Sequence, residues 1–157
     1  MNNLIISVDG PAGSGKEKIA KYISKKYNLF HLDSGILYRR VAKYLIEKKI
    51  SYKNVKKIKI ILKSIKKISH RRHIALRSEN ISNLTSLIAI YPFVRKFVNN
   101  QQKLAVSNIL KKNKGCVIDG RDIGTKVFKN AKIKLFIDAN REIRAKRRHK
   151  QLMNKAK

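Results

Sequence analysis

Apolar positions along the chain fall in short blocks that alternate between two spacings. Leu4-Ile5-Ile6-Ser7-Val8 is a β-branched run that ends at Asp9-Gly10-Pro11, and beyond Lys16 the residues Ile19, Ala20, Ile23 and Tyr27 recur at helical intervals. This predicts strand, loop and helix. Phe30-His31-Leu32 predicts a second strand running into Asp33-Ser34-Gly35, after which Tyr38, Val41, Ala42, Leu45 and Ile46 mark a helix ending near Lys49. Val55, Ile58, Ile61, Leu62, Ile65 and Ile68 predict a third, amphipathic helix. Helical spacing returns from Asn83, and Pro92 divides that stretch into one helix before Tyr91 and another running to about Leu110. Cys116-Val117-Ile118-Asp119 predicts a buried strand, residues 120–125 a loop, residues 133–138 a further strand, and residues 140–157 a basic helix.

Strands alternating with helices in this order predict an α/β fold, with helices on both sides of a parallel sheet. Asp9, Asp33, Asp119 and Asp138 stand at the carboxyl ends of the predicted strands, the rim where such sheets bind ligands. A length of 157 residues fits a single domain spanning 1–157, with no repeat or linker to divide it. No apolar run approaches the length of a membrane span, and Met1-Asn2-Asn3-Leu4 lacks a basic leader, so a cytoplasmic location is expected. Cys116 is the single cysteine, which excludes an intrachain disulfide and a cysteine zinc cluster.

The formal charge of +30 attracts any polyanion, nucleic acid included. Much of it lies where lysines fill the polar positions of an Ile-rich pattern, as from Lys53 to Lys67, which describes a solvated basic face. Such a field steers free nucleotides as well as RNA.

Three strings carry chemistry. Gly10-Pro11-Ala12-Gly13-Ser14-Gly15-Lys16 follows a predicted strand and opens a predicted helix, the context in which G-x-x-x-x-G-K binds phosphate. Glycines let backbone N–H groups curl around the β- and γ-phosphates, the helix start adds its dipole, and Lys16 bridges the terminal phosphates. Where a Ser or Thr usually helps hold Mg²⁺, this chain has Glu17 and Lys18; Glu17 could ligate the metal or repel the phosphates. Asp33-Ser34-Gly35-Ile36-Leu37-Tyr38-Arg39 offers a hydroxyl at a strand end and a planar guanidinium one helical turn later, matched to phosphate oxygens. Asp119-Gly120-Arg121-Asp122-Ile123-Gly124-Thr125 follows the next strand, and Asp119 there could order water bound to Mg²⁺.

Together these strings resemble the cytidylate kinase branch of the nucleoside monophosphate kinases, which carry D-S-G-x-x-Y-R and D-G-R-D-x-G-T at the same places. The resemblance implies the three-layer P-loop kinase fold, with ATP and Mg²⁺ on the Gly10 to Lys18 segment. It also implies that Ser34 and Arg39 meet the acceptor monophosphate, that Arg121 lies over the phosphates and that Asp122 reads the exocyclic amino group of cytosine. Ser86, Pro92 and Arg95 are similar in spacing to the family's S-x-x-A-x-x-P-x-V-R, whose Ser and Arg touch the base, and Arg77 resembles the arginine leading into that helix. Glu142-Ile143-Arg144-Ala145-Lys146-Arg147-Arg148 looks like the start of the family's lid helix, with Arg144, Arg147 and Arg148 on one face, closing on the transferred phosphoryl group. Residues 51–80 form a reduced substrate-side insert by the same comparison, and the family's segment beyond the lid helix is expected to be missing.

The reaction so implied is transfer of the γ-phosphate of ATP to CMP or dCMP, by a monomer whose partners are free nucleotides rather than nucleic acid or membrane. Two alternatives stay beside it: a protein that binds ATP with weak or no turnover, and a basic RNA-binding protein on the same scaffold. Adenylate or shikimate kinase would share the first string but need neither of the other two together.

Overall fold

The computed structural model describes residues 4–71 and 73–153; the side chains of Arg148, Gln151 and Leu152 lie outside that description. The order of elements is β1 (Leu4–Asp9), α1 (Lys16–Lys26), β2 (Phe30–Asp33), α2 (Gly35–Glu47), α3 (Val55–Ser64), a 3₁₀ turn (Ile74–Arg77), α4 (Glu79–Ile88), α5 (Pro92–Leu110), β3 (Gly115–Gly120), a π-helical turn (Ile123–Val127), β4 (Ile133–Phe136) and α6 (Arg141–Met153). This is the α/β architecture the alternation predicts. The sheet runs β2-β3-β1-β4, and β1 pairs in parallel with β3 (Ile6 opposite Val117, Asp9 opposite Gly120) and with β4 (Asp9 opposite Phe136).

The backbone falls into two compact units, residues 1–32 with 109–157, and residues 33–108. In the first, Ile6, Val8 and Val117 of the central strands are buried against Ala20 of α1, with Leu4, Ile23, Leu29, Leu135 and Ile137 around them. Strands buried on both faces read as continuous apolar runs, which is why Cys116-Val117-Ile118 shows no alternation. In the second, Leu37, Val41 and Leu45 of α2 pack with Ile58, Leu62, Ile81, Ile88, Val94 and Val98 from three further helices. Each such side chain contributes about 1.5–3 kcal/mol when removed from water.

Several boundaries differ from the sequence reading. The helix expected to reach Ile68 ends at Ser64, with Ile65 already extended. Ile68 is nonetheless buried in the cluster around α2, and Gln101 of α5 satisfies the backbone there: its Oε1 accepts from the Ile68 N–H at 2.9 Å and its Nε2 donates to the Lys66 carbonyl at 3.3 Å. A polar side chain satisfying the backbone of an irregular segment leaves no trace in apolar spacing. The helix expected from Asn83 begins earlier, at Glu79, capped by the Ser78 side chain, which accepts from the Ile81 N–H. The loop at residues 120–125 closes into the π-helical turn, with the Phe128 N–H donating to the Ile123 carbonyl. β4 stops at Phe136 rather than Asp138, although the Ile137 N–H still reaches the Asp9 carbonyl at 2.8 Å, because β1 turns away at Gly10. α6 is capped by Asn140, whose Oδ1 accepts from the Ile143 N–H; residues 154–157 of the expected helix lie outside the described residues.

Candidate functional site

In the first unit, the chain leaves β1 through a loop that only glycine allows at two points: Gly13 has φ +79° and Gly15 φ +98°. Gly15 is the residue before α1, and the helix start that follows it puts its dipole toward the loop, with the Lys18 N–H turned back onto the Gly15 carbonyl at 2.9 Å. Lys16 folds back along the loop, its Nζ donating to the Pro11 carbonyl at 3.1 Å. Ser14 is buried, and its Oγ accepts from the Lys16 N–H at 3.4 Å. Glu17 pairs with Lys21 at 2.8 Å, one turn along α1, and Lys18 is exposed. Gly10, Pro11 and Ala12 line a cavity of about 420 Å³ together with Arg121, Phe136 and Arg144.

β3 delivers the second string. Asp119 at its end is buried, and its Oδ1 lies 2.6 Å from His31 Nε2 on β2. Arg121 is exposed; Asp122 lies 4.0 Å from Lys126 on the following turn. What fixes this segment is Asp9: its two carboxylate oxygens accept from the N–H groups of Ile123 and Gly124, each at 2.8 Å. A buried carboxylate with both oxygens bonded to consecutive backbone amides is a structural clamp, and it ties the strand before the phosphate loop to the segment carrying Arg121 and Asp122.

α6 lies directly against the loop. A Cβ on Gly13 would stand 2.9 Å from the Arg144 carbonyl oxygen. Arg144 Nε donates to the Ala139 carbonyl, while Arg147 Nη1 donates to the carbonyls of Gly13 and Ser14 at 3.1 and 3.0 Å. Arg148 is on the same helix with its side chain outside the described residues.

In the second unit, Asp33 collects the residues of the D-S-G string. Its Oδ1 accepts from the Gly35 N–H at 3.0 Å, and its Oδ2 stands 3.9 Å from Arg39 Nη1 and 4.0 Å from Arg77 Nη2. Two guanidinium groups from different elements thus converge on one buried carboxylate. Ser34 begins α2 and is itself buried, without a capping bond from its hydroxyl. Ser86 and Arg95 are engaged locally: the Ser86 hydroxyl donates to the Ser82 carbonyl, and Arg95 Nε donates to the Ala89 carbonyl at 2.7 Å.

Among the described residues no cluster of three or more His, Cys, Asp or Glu could hold a metal by itself. Mg²⁺ in phosphoryl-transfer sites needs only one or two carboxylates beside the phosphates and water, and the buried Asp119 fits that requirement while Glu17 is drawn toward Lys21. The sequence reading missed His31 and the clamping role of Asp9. Both work through partners about a hundred positions away, and no local spacing marks them. No described helix is long and apolar enough to cross a membrane.

Residues 6–157 match the cytidylate kinase family. Among curated proteins the chain is 41% identical to the cytidylate kinase of Fusobacterium nucleatum, over 99% of this chain and 73% of that one. It is 36% identical to the cytidylate kinase of a Geobacillus strain, over 94% of this chain and 70% of that one. It is also 40% identical to a bifunctional pantoate ligase/cytidylate kinase of Prochlorococcus marinus, over 96% of this chain and 31% of that longer protein. A crystal structure of a Thermus thermophilus protein superposes with a TM-score of 0.51 at 15% identity, covering 94% of this chain and 71% of that one, a likeness of fold alone. The family match over residues 6–157 and the relatives at 36–41% identity show that the chain belongs to the cytidylate kinase family.

Proposed function

We propose that the chain transfers the γ-phosphate of ATP to CMP or dCMP, releasing ADP and the nucleoside diphosphate. The observation that carries this reading is the glycine loop with Lys16 folded over it, in a chain matched to the cytidylate kinase family over residues 6–157. A phosphate oxygen of the acceptor is the nucleophile. It forms a bond to the γ-phosphorus while the bond from that phosphorus to the β-bridging oxygen breaks, and the electron pair leaves on ADP. The acceptor phosphate is already ionised at neutral pH, so no side chain has to take a proton.

Catalysis then consists of positioning and charge stabilisation. The loop from Gly10 to Lys16 holds the donor phosphates; Ser34 and Arg39, with Arg77 sharing Asp33, receive the acceptor phosphate. Arg121 screens charge between phosphates, and Asp122 accepts from the amino group that distinguishes cytosine from uracil. Ser86 and Arg95 complete the base contacts by the family comparison. Mg²⁺ bound to the ATP phosphates would neutralise developing charge there, and Asp119 would hold its water shell. The same reading describes a monomeric cytoplasmic enzyme whose partners are free nucleotides, a point that sedimentation and RNA competition check.

The test is ADP release from ATP and Mg²⁺ with CMP, dCMP, UMP or AMP as acceptor. Turnover with CMP and dCMP above UMP and AMP is expected, and Asp122→Asn should narrow that preference by about tenfold. Binding of ATP without turnover of any acceptor overturns the reading in favour of a nucleotide-binding protein.

A further inference from the structure

We propose that Arg147 acts on ATP through the phosphate loop, as a positioning residue that holds and polarises the loop's amides from behind, rather than as an arginine meeting the transferred phosphoryl group. The inference rests on the assignment of residues 10–16 as the ATP site.

The geometry is that of two peptide planes. One guanidinium nitrogen of Arg147 donates to the carbonyl oxygens of both Gly13 and Ser14. In a trans peptide the carbonyl and the N–H of the following residue point in opposite directions. The Gly13 carbonyl shares its plane with the Ser14 N–H, and the Ser14 carbonyl with the Gly15 N–H. A cation seated on those two oxygens therefore stands on the reverse side of the planes from their N–H groups and pulls electron density away from them; the Ser14 N–H is itself held by the Pro11 carbonyl at 3.3 Å, so the Gly15 N–H is the one made a stronger donor to an anion. The same nitrogen lies 3.5 Å from where a Cβ on Gly15 would be, an ordinary contact distance, so the guanidinium sits beside the loop backbone without crowding it.

The seating is supported along the helix. The backbone of α6 at Arg144 is already against Gly13, close enough that a Cβ there would be 2.9 Å from the Arg144 carbonyl oxygen. Asn140 caps α6 and Arg144 Nε ties back to Ala139, which fixes the start of the helix and hence the stem from which Arg147 reaches. The loop's left-handed residues Gly13 and Gly15 have the widest conformational freedom of any residue type, and the bridging cation restricts it before nucleotide arrives.

This role makes a prediction that a phosphoryl-contacting arginine does not. Of the phosphates the loop cradles, the β-phosphate is common to ATP and ADP, so disturbing the amide that meets it weakens both nucleotides and leaves the chemical step nearly as it was. An arginine that meets charge developing on the γ-phosphoryl group would lower kcat and leave ADP binding alone.

The experiment measures ADP and ATP affinity by calorimetry for the wild-type chain, Arg147→Met and Arg147→Lys, with kcat for CMP at saturating ATP. The expected result is a loss of about tenfold in affinity for both nucleotides in Arg147→Met, with kcat within about threefold of wild type. Arg147→Lys, whose ammonium can still reach a carbonyl, should recover most of the affinity and serves if the methionine variant does not fold. Unchanged ADP affinity with kcat lowered by about a hundredfold overturns the proposal. A wild type that binds ADP but phosphorylates no monophosphate would sink the proposed reaction while leaving the ADP comparison, and so this inference, to be decided on its own.

Discussion

His31 Nε2 and Asp119 Oδ1 lie 2.6 Å apart, joining β2 to β3 at the carboxyl edge of the sheet with both side chains largely removed from solvent. The contact uses one carboxylate oxygen of the residue proposed to hold the metal's water shell, and it thereby sets which way the other oxygen faces. Replacing His31 by Phe removes the donor and leaves a buried carboxylate without it. The expected loss is about 2 kcal/mol of stability in urea titration. The factor by which Mg²⁺ tightens ATP binding should also shrink, as read by nucleotide titration with and without the metal. A His31→Phe chain with wild-type stability and an unaltered Mg²⁺ factor would show that the pair orients nothing.

Asp9 is a second buried carboxylate, and both of its oxygens accept from backbone N–H groups of the π-helical turn. Asn at that position keeps the shape but turns one acceptor into a donor facing a donor. Asp9→Asn should lower stability by about 2 kcal/mol and weaken CMP binding, because Arg121 and Asp122 immediately precede the clamped amides. Parallel denaturation and CMP titration check both effects.

Gly124 and Ser7 offer a paired test. A Cβ on Gly124 would stand 2.4 Å from Ser7 Oγ, a buried hydroxyl with no hydrogen-bond partner among the described residues. Gly124→Ala alone should cost about 2–3 kcal/mol through overpacking. Ser7→Ala alone should be neutral or slightly stabilising, because it deletes an unpaired polar atom. The double variant should recover much of the loss, giving a coupling energy of at least about 1 kcal/mol in a thermodynamic cycle.

Burial pushes the Cys116 thiol up to about 12 from an ordinary 9.0. The folded state therefore holds its proton more tightly than the unfolded chain does. The stability this represents is fully present below pH 9.0 and is lost as pH rises from there toward the folded value. At pH 8 the native thiol should resist alkylation, with modification following the rate of opening rather than reagent concentration.

The sequence made the sheet and the phosphate loop legible for physical reasons. β-Branched runs and helical spacing report local burial, and a glycine loop between strand and helix has few alternative uses. Ile68, Asp9 and His31 were harder. The Ile68 N–H is satisfied by a glutamine thirty-three residues away, Asp9 is satisfied by amides more than a hundred residues on, and His31 pairs with a carboxylate eighty-eight positions later. Arg147 stands between these cases: its place on a basic helix face was readable, but its partners are backbone carbonyls, which every residue has and no pattern singles out.

The most direct measurement of the central claim follows the label from γ-labelled ATP with Mg²⁺ and CMP. The account predicts labelled CDP, formed at a rate lowered by about a hundredfold or more in Lys16→Ala. ATP binding that leaves the label on ATP, or releases it only as inorganic phosphate, would contradict it.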